Sequence, residues 1–149
     1  MKHIIILLLL CFAAIGCNNP NPFGTIKVSG TVLLDGNPVQ GISVNFNPVG
    51  GDISAGGLTD DTGKYTLTTG GATVGGGAIP GEYNVTFSKV EIEGAELDMD
   101  EYLKKFGDRQ PKITYVVPQK YEDVKTSGIA SVKVEKGEKN IFNFELTTK

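Results

Sequence analysis

Carboxylates crowd one stretch of the chain, at Glu91, Glu93, Glu96, Asp98, Asp100 and Glu101, and a smaller acidic group, Asp60-Asp61-Thr62-Gly63, follows Asp52. Paired carboxylates can serve as acid and base in glycoside hydrolysis, and several oxygens together can hold a hard cation such as calcium. Neither spacing supports the chemistry. The Asp60 group lacks the ligand spacing and the closing bidentate Glu of an EF-hand loop, and acids mixed this densely with Lys read as a solvated face. Tyr102, Tyr115 and Tyr121 lie outside the clear strand patterns and are the candidate ligand contacts, since a Tyr ring can stack on a sugar or a peptide. Phe46, Tyr65, Tyr83, Phe87, Phe142 and Phe144 fall on inward strand positions and read as core.

The N-terminus carries an address. Met1-Lys2-His3 is a short basic start, Ile4 to Leu10 is an unbroken aliphatic run, and Phe12 to Ile15 continue it to Gly16-Cys17. A bilayer span takes roughly 20 apolar residues. This stretch is shorter and reads as a cleaved signal peptide over residues 1–16. Ala14-Ile15-Gly16-Cys17 resembles the lipobox of bacterial lipoproteins, with Ala14 where Leu is usual. The resemblance implies that Cys17 is acylated and becomes the first mature residue. Buried acyl chains contribute about 0.8 kcal/mol per CH₂, so membrane lipid is the expected partner of Cys17. Residues 17–24 are polar and proline-rich and form a tether. Asn18, rather than Asp, follows the Cys; by resemblance to the enterobacterial sorting rule this favours the outer membrane over the cell membrane, on the extracytoplasmic side.

Cleavage also removes chemistry. His3 is the sole His and leaves with the signal, as does Cys11, while Cys17 is committed to the anchor. The mature chain then has no Ser-His-Asp triad, no thiol nucleophile and none of the usual nitrogen and sulfur zinc ligands. Neither a cofactor nor a metal is expected, and the chain reads as noncatalytic. A net charge of -3, with Arg109 the single Arg and Lys104-Lys105 the longest cation run, speaks against nucleic acid.

Residues 25–149 are long enough for one domain with its own core. Ile26, Val28, Val32 and Leu34 alternate on one face, as do Ile42, Val44 and Phe46, and Asp35-Gly36-Asn37-Pro38 between them predicts a hairpin. Strand patterns recur over 64–68 and 83–88, with turns at Asp60-Gly63 and Ile79-Glu82. The period changes near Ala95. Met99, Tyr102, Leu103 and Phe106 stand at helical spacing, Asp98 with Glu101 forms a capping pattern, and Gly107 is placed to end the helix, so a helical insert is expected over about 97–107. Ile113 to Val117 reads as extended. Residues 129–134 and 141–146 read as a last hairpin, with Ala130, Val132 and Val134 inward from one strand and Phe142, Phe144 and Leu146 from the other. About seven strands at this spacing predict an all-β antiparallel Greek-key sandwich with one helical insert.

The segments VSGTVLLDGNPVQGISVNFNP, TDDTGKYTLTT, AIPGEYNVTF and YEDVKTSGIASVKVEKGEKNIFNFEL resemble small planctomycete lipoproteins with a carboxypeptidase regulatory-like, transthyretin-like domain. The resemblance covers nearly all of the mature chain, least well the insert. It implies a prealbumin-like, Ig-like sandwich that is usually noncatalytic, and it supplies no site residues. The transthyretin-related hydrolases use His and Arg in their site, and the missing mature His argues against that branch. The expected function is a lipid-anchored structural or protein-interaction module of the cell envelope. A carbohydrate- or peptide-binding module of the same fold is the alternative, so an envelope protein and a polysaccharide are both open as partners.

Overall fold

The computed structural model describes residue 21, residues 23–70 and residues 76–149; the signal peptide, Cys17 and most of the tether lie outside the described residues. The chain is mostly β, and its strands run β1 Val28–Leu34, β2 Asn37–Pro38, β3 Ser43–Pro48, β4 Ala55–Leu58, β5 Lys64–Thr66, β6 Thr68–Thr69, β7 Gly81–Ser88, β8 Val90–Ile92, β9 Ile113–Tyr115, β10 Val132–Val134, β11 Asn140–Ile141 and β12 Phe144–Leu146. Among the described residues the helices are α1 Met99–Phe106, a 3-10 turn Gln119–Tyr121, and α2 Val124–Ser127.

Two five-stranded sheets share one core. In the first, β1 is central. Ser29 faces Ile141 on one edge and Thr66 on the other, so β11 and β12 flank β1 on one side, with β5 and β2 on the opposite side. The second sheet runs β10-β7-β3-β4-β6 and is antiparallel throughout. Burial alternates strictly along β1, as the apolar spacing predicts, and Val44, Phe46, Val85 and Phe87 point at it from the second sheet. The Phe46 ring lies 5.8 Å from Tyr83 and from Phe142, and 6.4 Å from Tyr65 and Phe144, so one aromatic side chain joins both sheets.

Four expectations need correction. Asp35 and Gly36 both adopt positive φ and make a two-residue reversal that puts Leu34 opposite Asn37, but β2 then stops and the chain crosses to the other sheet. The hairpin partner of β1 is thus β2, and β3 pairs with β4 and β7. The last two strands do not form a hairpin either. β10 joins β7, whereas β11 and β12 run parallel to β1, so the first sheet is not purely antiparallel. Ala130 is exposed rather than inward, because the regular strand begins only at Val132. Tyr121 is no surface contact. It is 4% exposed, its ring meets Phe87 edge-on at 6.5 Å, and its hydroxyl accepts the Thr147 N–H at 3.0 Å.

The parallel strand is interrupted at Phe142-Asn143. The Asn143 side-chain oxygen replaces a ladder carbonyl by accepting the Thr31 N–H at 3.0 Å, and the Phe142 carbonyl turns over Gly30 to accept the Tyr65 hydroxyl at 2.8 Å. A Cβ on Gly30 would stand 1.7 Å from that carbonyl oxygen, so only glycine fits. Burial raises the Tyr65 hydroxyl above its ordinary pKa, which keeps it a donor.

Candidate functional site

Between β7 and the 3-10 turn the chain leaves the two sheets and builds a separate projection. Val90 pairs with Tyr115 and Ile92 with Ile113, forming the two-stranded β8–β9 ribbon, which is closed at its base by the Val116 N–H on the Lys89 carbonyl at 2.9 Å. The expected helix crosses this ribbon's tip. Its capping is as the sequence predicts: an Asp98 carboxylate oxygen accepts the Glu101 N–H at 2.8 Å, and Gly107, at positive φ, returns its N–H to Leu103.

The projection is held by a half-buried aromatic and ionic cluster of its own. The Tyr102 and Phe106 rings meet at 4.9 Å, the Arg109 guanidinium lies 4.6 Å above Phe106, and Glu93 accepts from Arg109 at 2.8 Å. That hydrogen bond holds the Glu93 carboxyl below its usual range and lifts Arg109 further. Tyr102 also donates to the Arg109 carbonyl at 3.2 Å. Tyr102, a candidate ligand contact, thus also ties down the loop after α1.

No residue of α1 is buried. Met99 is 72% exposed and Leu103 46%, although they share the apolar helix face with Tyr102 and Phe106. The ribbon behaves likewise. Paired residues share a face, so Val90, Ile92, Ile113 and Tyr115 lie together, and each remains exposed. Ile92, Met99, Leu103 and Tyr102 line a common groove of about 460 Å³. Of the three candidate tyrosines, the fold thus brings Tyr102 and Tyr115 to the projection and consigns Tyr121 to the core.

The groove's place in the molecule follows from register. At one pole Val28 lies opposite Asn140, Ile26 bridges Ala78, and Asn140 bonds Glu135 beside the Val134–Gly81 pair. At the other pole Ser88 faces Ser43, and Lys89, at the root of the ribbon, donates to the Gln40 carbonyl at 2.8 Å. Residue 26 and the projection therefore lie beyond opposite ends of β1, which alone spans about 20 Å at the usual strand rise.

No protein-family model, curated protein or solved structure matches this chain. The site is read from its own chemistry. Among the described residues no three His, Cys, Asp or Glu side chains converge as metal ligands. Asp60 is occupied by its own turn, accepting from the Thr62 N–H and hydroxyl and the Lys64 N–H, and these bonds depress its pKa, the Thr62 hydroxyl foremost. Sequence reasoning placed the helix but missed the uncovered apolar face. The signal was present in Val90, Ile92, Ile113 and Tyr115, which alternate on two short strands with no third segment patterned to cover them.

Proposed function

We propose that the protein is a noncatalytic interaction module of the bacterial cell envelope, lipid-anchored through acylated Cys17 and displayed on the extracytoplasmic side, with the outer membrane favoured. In this reading residues 25–149 form a transthyretin-like Greek-key sandwich, and residues 17–24 tether it. The observation that carries the reading is the uncovered apolar face of the projection, standing at the pole away from residue 26. Monomeric surfaces rarely leave a contiguous apolar patch without a use. A tether at one pole presents that patch outward from the membrane.

The polysaccharide reading has one observation of its own. Ser43, Asn45 and Asn47 point outward from β3 beside Asn84 and Ser88 of β7, giving an uncharged amide and hydroxyl face. The test is fractionation of cells producing the wild-type chain and Cys17→Ser. Wild-type protein in the membrane fraction, with the variant released or left unprocessed, supports the anchored module; equal membrane retention and normal processing of both would overturn it. Recovery of the mature protein with envelope polysaccharide, lost on replacing Asn45 and Asn47 by Leu, would favour the second reading.

A further inference from the structure

We infer that the groove between α1 and the chain segments flanking it, at the end of β8, docks a cationic, apolar-bearing segment of another envelope protein, a step that rests on the anchored-module reading. The groove has Ile92, Leu97, Met99 and Leu103 among its lining, and its size of about 460 Å³ lies in the range of side-chain and small-ligand pockets. Its charges are unbalanced. Glu93, Asp98 and Asp108 line it against Arg109 alone, and Glu93 is already paired with Arg109. Asp98 and Asp108 are left as surplus negative charge beside exposed hydrophobic side chains, with Asp100 one residue from Met99. A complementary partner therefore places Leu-, Ile- or Phe-type side chains in the groove and Lys or Arg at its rim.

Other occupants fit less well. The tether meets the domain at the opposite pole, where its one large apolar residue, Phe23, lies three residues before Ile26 and about a strand length from the groove. A second copy seated face to face would oppose Asp98 and Asp108 of one groove to those of the other, and like charges in contact are unfavourable. The membrane carrying the anchor lies toward the other pole. Anionic headgroups would also be repelled by the same carboxylates.

The experiment places a photo-crosslinking phenylalanine analogue at Leu103, and separately at Lys136, exposed and outside both candidate faces, as a control, in the full chain made in its native cells. Whole cells are irradiated, so adducts are scored wherever the chain resides, and membrane fractionation is read on the same sample. The expected result is one protein adduct from position 103 and none matching it from position 136, with the linked peptide carrying excess Lys or Arg next to aliphatic or aromatic residues. Asp108→Lys should lower that adduct at least about threefold without changing the circular dichroism spectrum. Linkage to lipid, to a second copy or to an acidic segment, no adduct, or a yield indifferent to Asp108→Lys would overturn the inference. A membrane-bound chain with no adduct sinks the docking site alone, whereas a soluble chain sinks the anchor.

Discussion

The Tyr65 hydroxyl reaches across Gly30 to donate to the Phe142 carbonyl at 2.8 Å, joining the antiparallel and parallel edges of β1 through a side chain. Gly30 and Tyr65 are cross-strand partners, so the ring passes directly over the position where a Cβ would stand. Gly30→Ala should destabilise the mature chain by about 3 kcal/mol or more, since backbone must move to admit the methyl. Tyr65→Phe removes only the hydrogen bond and should cost about 1–2 kcal/mol. Urea unfolding checks both, and a Gly30→Ala variant as stable as wild type would refute the close approach.

Phe46 contacts aromatic rings from both sheets, whereas Phe144 is only half-buried. Phe46→Ala should therefore cost about 3–5 kcal/mol, and Phe144→Ala less. Thr66→Ala, on the exposed face of β5, should stay within about 0.5 kcal/mol of wild type. The same unfolding curves decide the order, and equal losses at Phe46 and Thr66 would mean the inward faces are misassigned.

Capping of α1 is a local matter, because the helix buries nothing in the main core. Asp98→Ala should raise hydrogen exchange at the Glu101 amide about fivefold, corresponding to a lost cap of about 1 kcal/mol, with little change in global unfolding. Asp100→Asn should leave that amide unchanged. Loss of global stability with Asp98→Ala would show that the projection folds as one unit with the sheets.

Asp35 and Asp60 have depressed pKa values, Asp35 chiefly through the Thr148 hydroxyl and Asp60 chiefly through the Thr62 hydroxyl. A carboxylate whose folded pKa lies below its unfolded value near about 4 stabilises the fold above that value. The contribution is lost as pH falls through the folded pKa. Stability measured from pH 7 downward should thus decline below about pH 4, and the gap between wild type and Asp60→Asn should close there. A gap that widens with acid would reverse the assigned sign.

What could be read from the sequence was local. Alternation marked β1, β3, β7 and their inward residues because a strand's side chains repeat every second position. Asp98, Glu101 and Gly107 marked α1 because caps satisfy backbone groups within a few residues of the chain. Asp35-Gly36 marked a reversal because its conformation needs residues that accept positive φ. None of these signals names a distant partner. Periodicity says which face of β1 is buried, but the same pattern serves a hairpin with β3 or a parallel ladder with β12, and only the packed sheets select the second. Ala130 and Tyr121 differ for the same reason, since exposure depends on what crosses above a residue: no described residue covers Ala130, while Phe87 and the chain at Thr147 enclose Tyr121. The apolar face of the projection belongs to this class too. Met99 and Leu103 have the spacing of core residues, and tertiary structure alone leaves them facing outward at the pole farthest from residue 26, because among the described residues no third element covers them.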